Sequence, residues 1–269
     1  MPEPRSPADL DKQNRSLLRK LERLQSNMRQ LEEIRDTNGT LLSNLMRELD
    51  EERTRSRALL LNILPQGIVD RLETGETLIA DRYDRVTVVM SDLVGFTSIS
   101  ARLEPRLLVS ELNRLFSEFD AICARSGMEK IKTIGDAYLA VGGLPGTRED
   151  HVAAAGEMAL SMMEALVRVN RAGTGGWRIR IGVHTGPAVA GVIGTWKFVY
   201  DVWGDTVNVA SRLESTSLPD HIHVSATVAR ELGAAFETES RGVVHLKGTD
   251  DAETFFLRCR STSPESQPG

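Results

Sequence analysis

The chain has 269 residues, with 33 Lys or Arg against 38 Asp or Glu and a net charge of −5. At roughly 100–200 residues per domain this is one or two domains, with core enough to need no disulfide staples. The mild acidity excludes the basic footprint of a nucleic-acid binder. No apolar run approaches the ~18 residues of a membrane helix, and neither a signal nor a transit peptide is recognisable. Cys123 and Cys259 lack metal-site spacing, so the expected setting is reducing and cytoplasmic.

Residues 1–9 carry three prolines and read as a disordered tail. Residues 10–65 read as a coiled-coil rod. Steps of four and three from Leu17 land on Leu21, Leu24, Met28, Leu31, Arg35, Asn38, Leu42, Leu45, Leu49, Glu52, Ser56, Leu59 and Ile63. Ten of these fourteen positions are apolar, the stripe that a 3.5-residue repeat turns toward a parallel partner helix. The polar pairs Arg35/Asn38 and Glu52/Ser56 fit either a plain dimerisation rod with imperfect seams or one able to switch register and relay a signal. Pro65 is expected to end the rod, because it disfavours helix in Leu64. Residues 66–80 read as a linker: a short helix over 66–72, then a turn at Thr74-Gly75-Glu76.

Residues 81–260 alternate strand and helix. Val86–Ser91 is a buried strand by its β-branched run, and 101–126 has helical apolar spacing. Residues 128–133 and 137–142 flank Ile134-Gly135-Asp136 as a hairpin. A second long helix covers 151–169. Residues 178–185 and 188–194 are expected to form a strand pair around Gly186-Pro187. A helix over 205–216 and a strand over 255–258 follow. The order βαββαβ predicts a ferredoxin-like α/β sandwich with additions, and 261–269, rich in Ser and Pro, reads as a disordered tail.

Asp92 ends the first strand and Asp136 lies in the hairpin, so both carboxylates can meet at one edge. Alone, either reads as a turn residue; together they suit Mg²⁺, which takes a few carboxylates and leaves its other positions to phosphates and water. Gly95 and the helix start after it offer backbone N–H groups to a phosphate. Asn208 and Arg212, four apart, share a helix face and could clamp a charged oxygen; the same spacing also fits a solvated surface, with Asp205 as the helix cap. The histidines have no metal-ligand spacing, and Trp177, Trp196, Trp203, Met158, Met162 and Met163 read as packing.

Four blocks then resemble the class III nucleotide cyclases, specifically the adenylate cyclase catalytic domain, over about 60–258. They are Asp92-Leu-Val-Gly-Phe-Thr97, Lys130-Ile-Lys-Thr-Ile-Gly-Asp136, Gly182-Val-His-Thr-Gly186 and Asp201-Val-Trp-Gly-Asp-Thr-Val-Asn208-Val-Ala-Ser-Arg212. Leu59-Leu-Leu-Asn-Ile-Leu-Pro65 resembles the signalling helix that precedes such domains.

The resemblance implies that Asp92 and Asp136, with Leu93, hold two Mg²⁺ or Mn²⁺ ions, and that Phe96, Thr97 and Lys247 meet the phosphates. It implies that Asn208 orients the ribose and that Arg212 stabilises charge on the α-phosphate as cyclic AMP and pyrophosphate form. Lys132 and Asp201 match the purine-reading pair: lysine can donate to adenine N1, and aspartate can accept from N6. Guanine presents the reverse pattern and would leave both mispaired. The resemblance also implies a homodimer with composite sites, which the rod independently suits. A guanylate cyclase and an inactive, cyclase-like signalling module are the other two readings. A membrane anchor or sensor domain is expected only if the chain is part of a longer protein.

Overall fold

The computed structural model describes residues 7–173, 176–194, 196–246 and 251–261. They divide into two units, 1–62 and 63–269.

The first unit is one helix, α1, Pro7–Leu61. It starts inside the stretch expected to be a disordered tail; proline is tolerated in a first turn, where its missing N–H would have no partner. The seam residues Leu17, Leu21, Leu24, Met28, Leu31, Leu42, Leu45, Leu49 and Leu59 are all exposed. The helix stops four residues before Pro65, where Asn62 N–H turns back onto the Leu59 carbonyl at 3.3 Å. No helix among the described residues is long and apolar enough to cross a membrane.

The second unit begins with α2, Gln66–Glu73, whose Ile68 and Val69 are buried. Strand β1 runs Ala80–Leu93, longer at both ends than its β-branched centre predicts. The short helix α3 (Phe96–Ser100) follows, and the helix expected over 101–126 is α4 (Pro105–Arg125), which starts four residues later. Pro105 sets that later start, and Glu104 caps α4 by accepting from the Arg106 and Leu107 N–H groups. Then come β2 (Glu129–Ile134), β3 (Ala137–Gly142) and α5 (His151–Ala172).

Strand β4, Ile179–Ile193, is unbroken, which corrects the hairpin expected at Gly186-Pro187. Pro187 lies opposite a bulge in β1 between Tyr83 and Val86, where a strand proline leaves no ladder bond unmade. The real hairpin joins β4 to β5, Val199–Trp203. Helix α6 (Asp205–Ser215), β6 (His221–Ser225), α7 (Ala226–Leu232), β7 (Phe236–Val244) and β8 (Ala252–Arg260) complete the chain. Here β8 is longer than its apolar centre, and α3, β6, α7 and β7 are elements absent from the expected order.

The sheet order is β2-β3-β1-β4-β6-β8-β7, with β5 paired to β4 beyond β6. The first four strands and helices α4 and α5 form the expected βαββαβ core; β1 is antiparallel to both β3 and β4. Side chains alternate across the sheet. Val89, Leu93, Ile179, Ile181 and Val183 join α4 and α5 in one core, with Phe119, Met158, Met162 and Trp177. The other face carries α6.

Candidate active site

Residues Arg180, Gly182, His184 and Gly186 take the alternate positions of β4, on the face toward α6. Gly182 has no side chain for a reason: a Cβ there would collide with the Ala210 carbonyl oxygen and the Glu214 nitrogen. Likewise a Cβ on Gly186 would stand 2.7 Å from Thr206 Oγ1. The glycines let α6 lie directly on the strand, with Thr206, Ala210, Leu213 and Glu214 buried beneath it.

Asp92, near the end of β1, pairs in register with Arg180, and its Oδ2 accepts from Arg180 Nη2 at 3.1 Å. Asp136 follows Gly135, whose φ of +63° makes the β2–β3 turn. Because Ser91 pairs with Tyr138, the turn comes alongside Asp92. Burial, then the Asp92 charge, raise the Asp136 carboxyl; backbone N–H groups of Asp136 and Leu93 only partly oppose this. Burial and a neighbouring carboxylate make the Asp136 charge costly, which a hard divalent cation relieves, so the two oxygen-donor residues fit Mg²⁺ or Mn²⁺. Among the described residues there is no group of three or more His, Cys, Asp or Glu placed to hold a metal. The remaining ligands would therefore be phosphate, water or main chain. Leu93 is 2% exposed and can contribute only main chain.

Gly95, at φ +71°, turns the chain into α3. The Phe96 ring packs near Trp177, with centroids 6.2 Å apart, so Phe96 offers its backbone to a ligand rather than its ring. Thr97 is exposed.

Lys132, beside a bulge in β2, reaches Asp201 on β5: Nζ lies 2.5 Å from Oδ2. The second Asp201 oxygen accepts from the Val202 N–H at 2.9 Å. Asp201 keeps 13% of its side-chain surface and Lys132 33%, so the pair is half-sheltered and still reachable.

Asn208 and Arg212 share a side of α6, and Asn208 is exposed. At 100° per residue that side is about 160° from Ala210 and Glu214, which face the sheet. Arg212 is half-buried, and its Nη1 is buried without a hydrogen-bond partner. It is therefore no solvated surface residue, but a cation whose donor lacks an acceptor. Asp205 does not cap α6; Gly204 holds that position without a side-chain bond. Lys247 lies outside the described residues.

Arg180 and Glu214 escaped the sequence reading. Arg180 Nε lies 2.9 Å from Glu214 Oε1 as well as binding Asp92. Burial pushes the Glu214 carboxyl up to about 7, against the pull of Arg180. The available signal was periodicity, since Arg180 shares its strand face with Gly182. His151, His184 and His223 make protein hydrogen bonds, to Thr87, Ser225 and the Leu213 carbonyl. Of the tryptophans, Trp177 is buried, whereas Trp196 is 94% exposed on the β4–β5 hairpin.

The sequence model of the adenylate and guanylate cyclase catalytic domain matches residues 78–259. An adenylate cyclase of Mycobacterium tuberculosis is 41% identical over 205 residues, 76% of this chain and 46% of that protein. A membrane guanylyl cyclase of Dictyostelium discoideum is 39% identical over 209 residues, 77% of this chain and 14% of that protein. The chain thus spans less than half the length of these relatives. The guanylate cyclase domain of RhGC from Catenaria anguillulae, solved in complex with GTP, superposes with a TM-score of 0.64 at 38% identity, covering 67% of this chain and all of that one. With its sheet order, its apposed aspartates and a match over most of its length, the chain belongs to the adenylate and guanylate cyclase catalytic domain family.

Proposed function

We propose that the protein is an adenylate cyclase, forming 3′,5′-cyclic AMP and pyrophosphate from ATP. The observation that carries the base choice is the Lys132–Asp201 pair. Opened around adenine, its ammonium donates to N1 and its carboxylate accepts from N6; guanine would face donor with donor and acceptor with acceptor. A mispaired buried polar group discriminates strongly.

Asp92 and Asp136, with the Leu93 main chain, hold two Mg²⁺ or Mn²⁺ ions, which when bound acidify the ribose 3′-hydroxyl and neutralise the triphosphate. Asn208 orients the ribose. The 3′-oxygen forms its bond to the α-phosphorus as the bond to the β-phosphate bridging oxygen breaks; pyrophosphate leaves and the hydroxyl proton passes to solvent. Arg212, with a buried N–H unpartnered, supplies positive charge to the α-phosphate in that transition state. Phe96 and Thr97 main chain, and Lys247, serve the outer phosphates.

Asn208 and Arg212 turn away from the sheet face that holds Asp92. This favours a head-to-tail homodimer in which one protomer supplies the aspartates and the other supplies Lys132, Asp201, Asn208 and Arg212. The exposed seam of α1 fits a parallel coiled coil joining the same two chains.

The test is product formation by the purified chain with Mn²⁺ or Mg²⁺, given ATP and GTP in parallel. Cyclic AMP with little cyclic GMP is expected. Predominant cyclic GMP would reassign the base, and no product from a folded dimer would make the protein a signalling module.

A further inference from the structure

Arg180 poses a problem for the proposed metal site. Its guanidinium already binds Asp92, the carboxylate that a divalent cation must claim. A protein cation on a metal ligand competes with the metal. Removing it altogether would strand a partly buried charge, since the Arg180 side chain keeps only 27% of its surface.

Glu214 resolves the conflict by its placement. The close seat of α6 on Gly182 fixes where residue 214 starts, and its carboxylate meets Arg180 at Nε, while Asp92 uses Nη2. The two contacts differ in kind. The bond to Asp92 is an aligned hydrogen bond; the contact to Glu214, at 2.9 Å, is an ion pair in which neither buried atom completes one. Arg180 thus has an unfilled hydrogen-bonding position on Glu214. When ionised, the three carboxylates Asp92, Asp136 and Glu214 exceed the one guanidinium by two negative charges, which one divalent cation balances; the triphosphate balances the second.

We propose that Glu214 is a positioning residue for the metal site, holding Arg180 when a divalent cation displaces it from Asp92, so that metal entry leaves no buried charge unpaired. This inference rests on the reading of Asp92 as a metal ligand. Without Glu214, Asp92 is the one carboxylate left to Arg180, beside a long 3.5 Å bond from its Nη1 to the Ser215 carbonyl, and the metal must win that aspartate from a stronger competitor.

The experiment measures Mn²⁺ bound to the full chain by the loss of the free-ion electron paramagnetic resonance signal, without nucleotide, so that no triphosphate takes up the ion. The wild type should bind Mn²⁺ and Asp92→Asn should not; failure of that pair overturns the metal site itself, and this inference with it. Glu214→Gln, nearly equal in shape, should weaken Mn²⁺ binding about tenfold, corresponding to ~1.4 kcal/mol. On an Arg180→Gln background the same Glu214→Gln change should cost less than about threefold, because the competitor is already gone. The double variant leaves no lone buried charge, so it keeps the comparison open should either single variant fold poorly. Wild-type affinity in Glu214→Gln, or an equal tenfold loss on both backgrounds, would overturn the proposal; the second result would mean that Glu214 acts as a distant charge and not through Arg180.

Discussion

Gly182 and Ala210 touch backbone to backbone: the α6 carbonyl of Ala210 occupies the space where a side chain on residue 182 would stand. Neither partner is a flexible side chain, so the helix itself must shift to admit a methyl group. Gly182→Ala should cost about 1–3 kcal/mol, the usual range for overpacking. Because α6 carries Asn208 and Arg212, turnover should fall by more than the stability loss explains. Urea unfolding alongside cyclic nucleotide formation separates the two; unchanged turnover in a destabilised protein would detach α6 from the chemistry.

On the proposed function, base choice is a matter of two side chains, Lys132 and Asp201. Lys132→Ala should lower ATP turnover at least tenfold, since Asp201 is then sheltered without its cation. Replacing both, as Lys132→Glu with Asp201→Ser, should raise the GTP-to-ATP ratio of kcat/KM by at least tenfold. An unmoved ratio would show that the base is read elsewhere.

The proposed sharing of sites between protomers predicts complementation. Asp92→Asn and Arg212→Ala should each be nearly inactive as homodimers. Mixed under conditions where subunits exchange, they should regain activity at the one intact site of each heterodimer. Proven exchange without recovery would place the whole site in one chain.

His223 sets a pH dependence of stability. Burial lowers its imidazole to about 4 from 6.5; the bond to the Leu213 carbonyl resists this and the Arg241 charge adds to it. The unfolded chain takes up the proton near 6.5, whereas the folded chain does so only near 4. Above pH 6.5 this contribution is intact; as pH falls from 6.5 toward 4 it is lost, up to about 3 kcal/mol. Unfolding midpoints from pH 7.5 to 4.5 should therefore fall less steeply in His223→Gln than in the wild type. Parallel curves would remove His223 from the account.

The exposed α1 seam predicts sensitivity to phase. Inserting two residues after Leu49 turns the following stripe by roughly 200° at 3.5 residues per turn, while seven residues restore it. Turnover should change with the first and return toward wild type with the second. Equal rates for the wild type and both insertions would show that the phase of α1 does not inform the catalytic unit.

What could be read from the sequence follows from how local each feature is. Asp92 and Asp136 were legible because each sits in a short motif at a strand end or tight turn, and β1 and β3 were already expected to be neighbours. Arg212 could not be told from a surface cation by spacing alone; its burial depends on packing around α6. The strand through Pro187 was missed because the bulge that accommodates it lies in β1, a hundred residues away in the chain. Strand β7 is largely polar and takes its place by pairing with β8, which no local pattern announces. Arg180 and Glu214 are ordinary charges until the sheet register and the α6 seat bring them together.

The unbroken β4 has a mechanical consequence. Arg180, opposite Asp92, and Gly191, opposite Asp201, lie on one strand, eleven residues or roughly 35 Å apart at ~3.3 Å per residue. In the proposed head-to-tail pair these ends serve different active sites. The strand is then a stiff beam spanning both, and a bend made while one site closes on its nucleotide is delivered to the base pocket of the other.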